Sequence, residues 1–182
     1  GGYARDRFGR RRVAAAGPPH QHSGGDPPLD TSYRYAADVV RASARNFAYA
    51  FWFLTPERRR GIAAVYAYSR RLDDCVDAAE GGAVDREQAL LGLQGLRALL
   101  EDGAPADPLG PAIRDTIGRF RIPLRPFEEL IEGMRMDIDR SRYATFEALR
   151  TYCYHAASTV GLICIEIFGN RGAQAREPAI DL

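Results

Sequence analysis

The chain has 182 residues, of which 46% are hydrophobic and 27% charged, so it is long enough to bury the core of one ordinary domain. Lysine and arginine together number 25 against 24 aspartates and glutamates, and the formal net charge of +1 gives no overall field that would attract nucleic acid. Uninterrupted apolar stretches such as 162–165 fall far short of the roughly 20 residues that a membrane-spanning helix needs, which excludes an integral membrane protein.

The first 30 residues differ in composition from the rest of the chain. They contain three arginines at 10–12 and proline or glycine pairs at 18–19, 24–25 and 27–28, without the apolar segment of a secretory signal. This composition predicts a disordered leader over 1–30 and a helical domain over 31–182. The arginines could contact an anionic membrane surface, but a solvated tail is the favoured interpretation.

Three cysteines indicate the redox compartment. Cys75, Cys153 and Cys164 are odd in number and lack the spacing of metal ligands, and two of them lie in apolar helical patterns. We expect reduced, buried cysteines in a cytoplasmic protein, with peripheral contact at the inner membrane surface as the alternative.

From residue 31 onward the pattern predicts an all-α fold, because no strand-like alternation extends beyond a few residues. A second helix begins at Thr55-Pro56, since threonine caps a helix and proline suits its first position, and it runs to about Ala78. A first helix precedes it, starting near Asp30 or Thr31. Its apolar residues recur at intervals of three and four: Tyr33, Ala37, Val40, Ala44, Phe47, Phe51 and Leu54.

Four further helices are predicted from their boundary residues. Asp85 with Gln88 has the spacing of a capping box and opens a helix to about Leu100. Residues 107–108 open a helix to about Phe120, and Thr145 caps a long apolar helix that ends at Gly169. Between these two, Pro126 opens a helix with the expected inward residues Phe127, Leu130, Ile131, Met134 and Ile138.

The second helix carries the pattern that points to function. Tyr66, Arg70, Asp73 and Asp77 stand at positions i, i+4, i+7 and i+11, so they project from one side of the helix, which we call the aspartate face. This face is predicted to lie at the edge of the core, within reach of a cavity. The neighbouring side is apolar and is predicted to face the core through Ile62, Val65, Ser69, Leu72 and Val76.

Two carboxylates one turn apart repel each other, so a cation is expected between Asp73 and Asp77. Mg²⁺ suits this position because it is usually held by one or two carboxylates together with substrate phosphates, and Mn²⁺ is the alternative. Arg70 would add a forked donor for phosphate oxygens, and Tyr66 would hydrogen-bond or line the cavity. The competing interpretation is a solvated acidic turn with Arg70 paired to Asp73 or Asp74 at the surface, and the acidic string alone favours it.

Four ordered stretches resemble signatures of the squalene and phytoene synthase family. They are 47–51, LTPERRRGIAAVYAYSRRLDDCVD at 54–77, IEGMRMDIDRSRY at 131–143 and YCYHAASTVG at 152–161. The resemblance covers 31–182 and implies an all-α isoprenoid synthase domain, a helical bundle around a central cavity flanked by two aspartate-rich motifs. Only the first motif is present in this sequence, so we expect the domain to be C-terminally truncated and inactive on its own.

The resemblance also implies an activity, the Mg²⁺-dependent head-to-head coupling of two allylic prenyl diphosphates to a cyclopropylcarbinyl diphosphate. The segment 161–169 slightly favours farnesyl diphosphate and a squalene-type product, whereas 131–143 is equally similar to phytoene synthases, which use geranylgeranyl diphosphate. NADPH would be needed only if the complete enzyme proceeds to squalene. The alternatives are a class I terpene cyclase and a non-catalytic helical assembly protein of the same fold.

Site residues follow from the resemblance position by position. Asp73 and Asp77 match metal-binding carboxylates, Arg70 and Tyr66 match the diphosphate end of the cavity, and Asp74 is their supporting neighbour. Core packing is an equal alternative for the phenylalanine among the remaining matches. The resemblance implies that these matches bind substrate: Asn46, Phe47, Tyr152, Tyr154 and Val160.

Three features of the later motifs limit what the resemblance implies. The stretch 156–158, Ala-Ala-Ser, replaces the Val-Ala-Gly of many relatives, which leaves the preferred chain length open. His155 is expected to be structural or exposed rather than a base. Asp137 is expected to pair with Arg140 or Arg142 rather than to act in catalysis.

Overall fold

The computed structural model describes residues 26–43, 53–139 and 142–169, and their regular structure is helical throughout. Seven α-helices and one π turn follow in chain order over these residues. They are α1 (Leu29–Ser43), α2 (Pro56–Glu80), α3 (Arg86–Ala98), α4 (Gly110–Phe120), α5 (Arg125–Asp139), α6 (Phe146–Cys153), the π turn (Tyr154–Ser158) and α7 (Thr159–Phe168). The predicted all-α fold is therefore confirmed.

Three of the predicted helix starts are confirmed by their hydrogen bonds, whereas the helix predicted from 107–108 begins at Gly110. The Thr55 hydroxyl accepts from the backbone N–H of Arg58 with Pro56 in the first turn, and Thr145 accepts from Ala148 in the same way. Asp85 and Gln88 form the complete capping box. These side chains satisfy N–H groups that have no partner inside the helix, which is why such boundaries can be recognised from sequence.

Helix α2 is the central element, because it contacts α1, α3, α4, α5 and α7. Its buried seam contains Ile62, Val65, Leu72 and Val76 as predicted, whereas Ser69 is only half-buried. The core is closed by Tyr68, whose ring meets Phe127 of α5 edge to face at 5.6 Å. The aspartate face therefore belongs to the most constrained helix of the bundle.

The described structure includes residues before the predicted domain boundary at residue 31. Asp26 forms an ion pair with Arg114, and the Ser32 hydroxyl accepts from the backbone N–H of Ala112, which ties the start of α1 to α4. Ala36 is fully buried, whereas Ala37, expected in the apolar stripe, is half-buried. Residues 26–30, which the prediction assigned to the leader, thus belong to the described structure, and residues 1–25 lie outside it.

The single long helix predicted from Thr145 to Gly169 is wrong in its middle. Residues 154–158 form a π turn, which inserts extra backbone between α6 and α7. Cys153, just before it, is exposed, contrary to the prediction that all three cysteines are buried, while Cys75 and Cys164 are half-buried. Among the described residues no helix combines the length and apolarity needed to cross a bilayer.

Candidate active site

The structure brings the four residues of the aspartate face together at the edge of the core, as their spacing predicts. Arg70 is buried, with only 8% of its side chain exposed, and Tyr66 is half-buried. Asp73 is exposed, and the Asp77 side chain is 33% exposed. The buried, positively charged side chain of Arg70 thus lies beneath carboxylates that solvent and ligands can still reach.

Arg70 pairs with one carboxylate of this face and with one beside it. Its Nη2 donates to Asp74 Oδ1 at 2.6 Å and lies 3.6 Å from Asp77 Oδ2. Burial lowers the pKa of the Arg70 guanidinium, but the charge and hydrogen bond of Asp74, with the charges of Asp73 and Asp77, outweigh burial and raise it. The guanidinium is therefore permanently charged, and it offsets the repulsion between carboxylates one turn apart.

This geometry combines the two interpretations that the sequence left open. Arg70 pairs with Asp74, as the surface interpretation expected, but the arginine is buried rather than at the surface. Asp74 therefore has a structural partner in Arg70, and its supporting role at the site stays a prediction. Asp73 is exposed, and the Asp74 and Asp77 side chains are partly exposed.

The donor set of the aspartate face fits one side of a magnesium site. Asp73 and Asp77 provide two accessible carboxylates on one helix, which is the number Mg²⁺ commonly takes from protein when substrate phosphates supply further oxygens. Within the described ranges, no group of three or more His, Cys, Asp or Glu side chains could hold a metal ion. Two carboxylates on one helix suit a cation whose remaining ligands come from phosphate oxygens and water.

The predicted residues of the substrate cavity are in part outside the described structure. Asn46 and Phe47 fall in the undescribed segment 44–52, so their positions stay predictions. Val160 is half-buried at the start of α7. The central cavity itself also stays a prediction.

Tyr152 and Tyr154 both donate hydrogen bonds to acids of α5. The Tyr152 hydroxyl binds Asp137 Oδ2 at 2.8 Å, and the Tyr154 hydroxyl binds Glu129 Oε2 at 2.9 Å. The Tyr152 ring also stacks on Tyr143, with centroids 5.0 Å apart. Burial, followed by the hydrogen bond to Asp137, raises the pKa of Tyr152, so this phenol stays protonated at neutral pH.

Two expectations about neighbouring residues can be compared with these contacts. His155 is half-buried, and its Nδ1 lies 3.1 Å from the backbone oxygen of Glu129, in agreement with a structural position. Asp137 was expected to pair with Arg140 or Arg142, but the hydrogen bond that the structure gives its carboxylate comes from Tyr152. Arg140 lies outside the described residues. The following acid, Asp139, pairs with Arg86 of α3.

Sequence reasoning missed two residues that face the π turn, Glu129 and Gly133. A signal for them exists, because Glu129, Gly133 and Asp137 recur every four residues along α5. A groove of about 420 Å³ between α3 and α5, with Leu93 and Ile131 among its lining residues, was also not foreseen. It contains none of the predicted site residues.

Comparison with known proteins identifies the group to which this chain belongs. The squalene/phytoene synthase family model matches residues 40–182. The chain belongs to this family. It is 39% identical over 147 residues to phytoene synthase 3 of Zea mays, a match covering 79% of this chain and 34% of the maize protein. It is 38% identical over 144 residues to phytoene synthase 2 of Solanum lycopersicum, covering 78% of this chain and 45% of that protein.

Two solved structures of squalene/phytoene synthase relatives have the same fold. Squalene synthase HpnC from Alicyclobacillus acidocaldarius aligns with a TM-score of 0.72 at 30% identity, over 84% of this chain and 57% of that one. A dehydrosqualene synthase crystallised with a ligand aligns with a TM-score of 0.67 at 26% identity, over 84% and 54% respectively. The expected family and isoprenoid synthase fold are confirmed. The chain spans less than half the length of the maize and tomato phytoene synthases that it matches.

Proposed function

We propose that the protein is a prenyltransferase that joins two allylic prenyl diphosphates head to head. The observation that carries this proposal is the aspartate face, where two accessible carboxylates lie above a buried arginine in a chain of the squalene/phytoene synthase family. An assembly protein of the same fold would have no need of exposed carboxylates in this register. The proposal concerns the complete natural protein.

The aspartate face would bind the diphosphate end of a substrate. Asp73 and Asp77 would hold Mg²⁺, or alternatively Mn²⁺, which when bound neutralises charge on the leaving diphosphate. Arg70 pairs with Asp77 of the face and with the neighbouring Asp74, and it adds a fixed positive charge beneath the face. Tyr66, half-buried on the same face, would contact the cavity next to the diphosphate.

The carbon chemistry needs few protein groups beyond this clamp. The allylic C–O bond of the first substrate breaks, and the electron pair leaves with the diphosphate. The double bond of the second substrate then attacks the cation and loses one proton as the cyclopropane ring closes, so that two prenyl diphosphates yield one cyclopropylcarbinyl diphosphate, one diphosphate and one proton. Apolar walls such as the one containing Val160 would exclude water from the cation.

Different observations favour the two candidate substrates. The stretch Glu166-Ile167-Phe168-Gly169 resembles enzymes that couple farnesyl diphosphate, and the two aligned structures are a squalene and a dehydrosqualene synthase. The curated relatives of higher identity are phytoene synthases, which favours geranylgeranyl diphosphate. We keep farnesyl diphosphate as the slight preference and geranylgeranyl diphosphate as the second candidate. NADPH would be required only for a squalene product.

The test is product analysis with the complete protein, Mg²⁺ and each prenyl diphosphate in turn. Head-to-head coupling predicts a C30 or C40 product and release of diphosphate, with rate depending on two substrate molecules. Cyclic products of a single substrate would instead identify a terpene cyclase. If neither substrate is turned over and neither shows Mg²⁺-dependent binding, the assembly protein would be favoured.

A further inference from the structure

Helix α5 presents a stripe of three residues, Glu129, Gly133 and Asp137, to the π turn. Residues four apart lie on one face of an α-helix, so the stripe runs along two turns of α5. Every member contacts the chain between 152 and 156. The stripe is therefore the surface against which the irregular part of the last helix is packed.

The centre of the stripe is a backbone-to-backbone contact. A Cβ atom added to Gly133 would lie 2.9 Å from the carbonyl carbon of His155 and 3.0 Å from the amide nitrogen of Ala156. Real Cβ atoms essentially never come that close to backbone, so only glycine allows α5 and the π turn to approach to this distance.

Hydrogen bonds flank this contact on both sides. Asp137 accepts from the Tyr152 hydroxyl, and the Glu129 side chain accepts from the Tyr154 hydroxyl, while the Glu129 backbone oxygen meets His155 Nδ1. Buried hydroxyl groups need a partner, and a hydrogen bond to a charged carboxylate is stronger than one between neutral groups. Both phenol groups are thus fixed from α5 rather than from their own helix.

The π turn gives this arrangement a consequence for the residues that follow it. One extra residue in a helix rotates everything after it by about 100°, because an α-helix has about 3.6 residues per turn. Val160 lies two residues after the π turn, and Tyr152 two residues before it. Their relative directions therefore depend on the π turn being kept.

We propose that the stripe of Glu129, Gly133 and Asp137 is a positioning device, which holds the π turn against α5 and thereby fixes Tyr152, Tyr154 and Val160 as one wall of the prenyl-chain cavity. The proposal deepens the function proposed above and rests on it for the statement that prenyl chains contact this wall. The three stripe residues act through the wall and do not take part in the chemical step.

The first experiment compares two glycines in the complete protein. Gly133→Ala should lower the melting temperature by about 5 °C or more, since the backbone of the π turn has to move. Gly95→Ala, on α3, is the matched control, because a Cβ there meets nothing within 4 Å and alanine favours a helix. A Gly133→Ala protein as stable as Gly95→Ala would overturn the proposal.

The second experiment tests whether Asp137 acts through Tyr152. Asp137→Ala should raise the KM for prenyl diphosphate about tenfold and change kcat less than about threefold. Asp137→Asn, which keeps an acceptor oxygen, should raise the KM less. In ¹³C-tyrosine NMR, with the signal of Tyr152 assigned from Tyr152→Phe, Asp137→Ala should lower the pKa of Tyr152. Glu132, an exposed acid of the same helix, provides the control. Glu132→Gln should change neither the KM nor the pKa of Tyr152.

Non-additivity completes the test. If Asp137 acts through Tyr152, the double variant Asp137→Ala/Tyr152→Phe should have the KM of the worse single variant. Independent effects, or a KM unchanged in Asp137→Ala, would contradict the positioning role. A fall of kcat by orders of magnitude with KM unchanged would contradict it too, since Asp137 would then belong to the chemical step. If the complete protein couples no prenyl diphosphate at all, the proposed function fails, whereas the melting temperatures and the Tyr152 titration still decide whether the stripe holds the π turn.

Discussion

The carboxylates of two acidic surfaces in this protein have different kinds of partner. On the aspartate face of α2, the buried guanidinium of Arg70 pairs with Asp77 of the face and with its neighbour Asp74, and both carboxylates stay partly accessible from outside. On α5, Glu129 and Asp137 stand eight residues apart, and each accepts a hydrogen bond from a tyrosine of the last helix. The spacing of acidic residues alone therefore does not identify a ligand site. The side chains that pair with the carboxylates have to be known as well.

The largest expected effect separates the two surfaces by activity. Asp73→Asn or Asp77→Asn should lower kcat of the complete enzyme by about 10²-fold or more, because the diphosphate clamp loses charge, while the melting temperature stays within a few degrees. Steady-state kinetics and thermal unfolding measure both. Asp102→Asn, an exposed loop carboxylate, is the control and should leave both values unchanged. Near-normal turnover in both α2 variants would remove the metal-site assignment.

A second prediction concerns the arginine beneath the aspartate face. Arg70→Gln should lower the free energy of unfolding by about 1–2 kcal/mol, because Asp74 and Asp77 lose a buried charged donor while they remain partly hydrated. Denaturant titration measures this change.

Arg97 offers the matched control for Arg70. It also pairs with an acid four residues later, Glu101, but both side chains are about half exposed. Such exposed pairs contribute little, so Arg97→Gln should unfold at the same denaturant concentration as the wild type. Equal losses in the Arg70 and Arg97 variants would show that burial of Arg70 is unimportant.

A smaller effect should appear at alkaline pH on the α5 side. Burial and the hydrogen bond to Asp137 raise the pKa of Tyr152 in the folded state above its ordinary value of about 10. A raised folded pKa contributes stability that is complete below pH about 10 and is lost as pH rises further.

The comparison is therefore between wild type and Tyr152→Phe. The stability advantage of the wild type should shrink above pH about 10. Only the wild type has this phenol, and its ionisation in the unfolded state favours unfolding. Thermal unfolding between pH 8 and 11 follows the difference, in which the contributions of the other tyrosines cancel. A constant difference across this range would mean that Tyr152 ionises as easily in the folded protein as in the unfolded one.

The sequence was sufficient for features that depend on near neighbours. The caps at Thr55, Asp85 and Thr145 act within three residues, and the register of the aspartate face follows from helix periodicity in a long uninterrupted helix. The burial of Arg70 was harder to foresee, since it depends on how the helices around α2 cover it. Propensity and spacing describe a helix face but not the depth at which it lies.

The π turn could not be foreseen for a related reason. The segment 152–161 has an ordinary helical pattern, and what accompanies its irregularity is the contact with Gly133, about 20 residues earlier in the chain. The hydrogen bond from Tyr152 to Asp137 could not be foreseen either, because nearby arginines in sequence seemed natural ion-pair partners, whereas the packing of α5 against the last helix brings Tyr152 to this carboxylate. Contacts between distant segments are decided by tertiary packing.

The central claim is that Asp73 and Asp77 bind a divalent cation together with a prenyl diphosphate. Its most direct test is calorimetric titration of the complete protein with an unreactive prenyl thiodiphosphate, in Mg²⁺ and in EDTA, for wild type and the Asp73→Asn/Asp77→Asn double variant. If these carboxylates hold the cation, removal of Mg²⁺ should weaken wild-type binding at least about tenfold, and the double variant should have lost this dependence. Equal wild-type affinity with and without Mg²⁺ would contradict it.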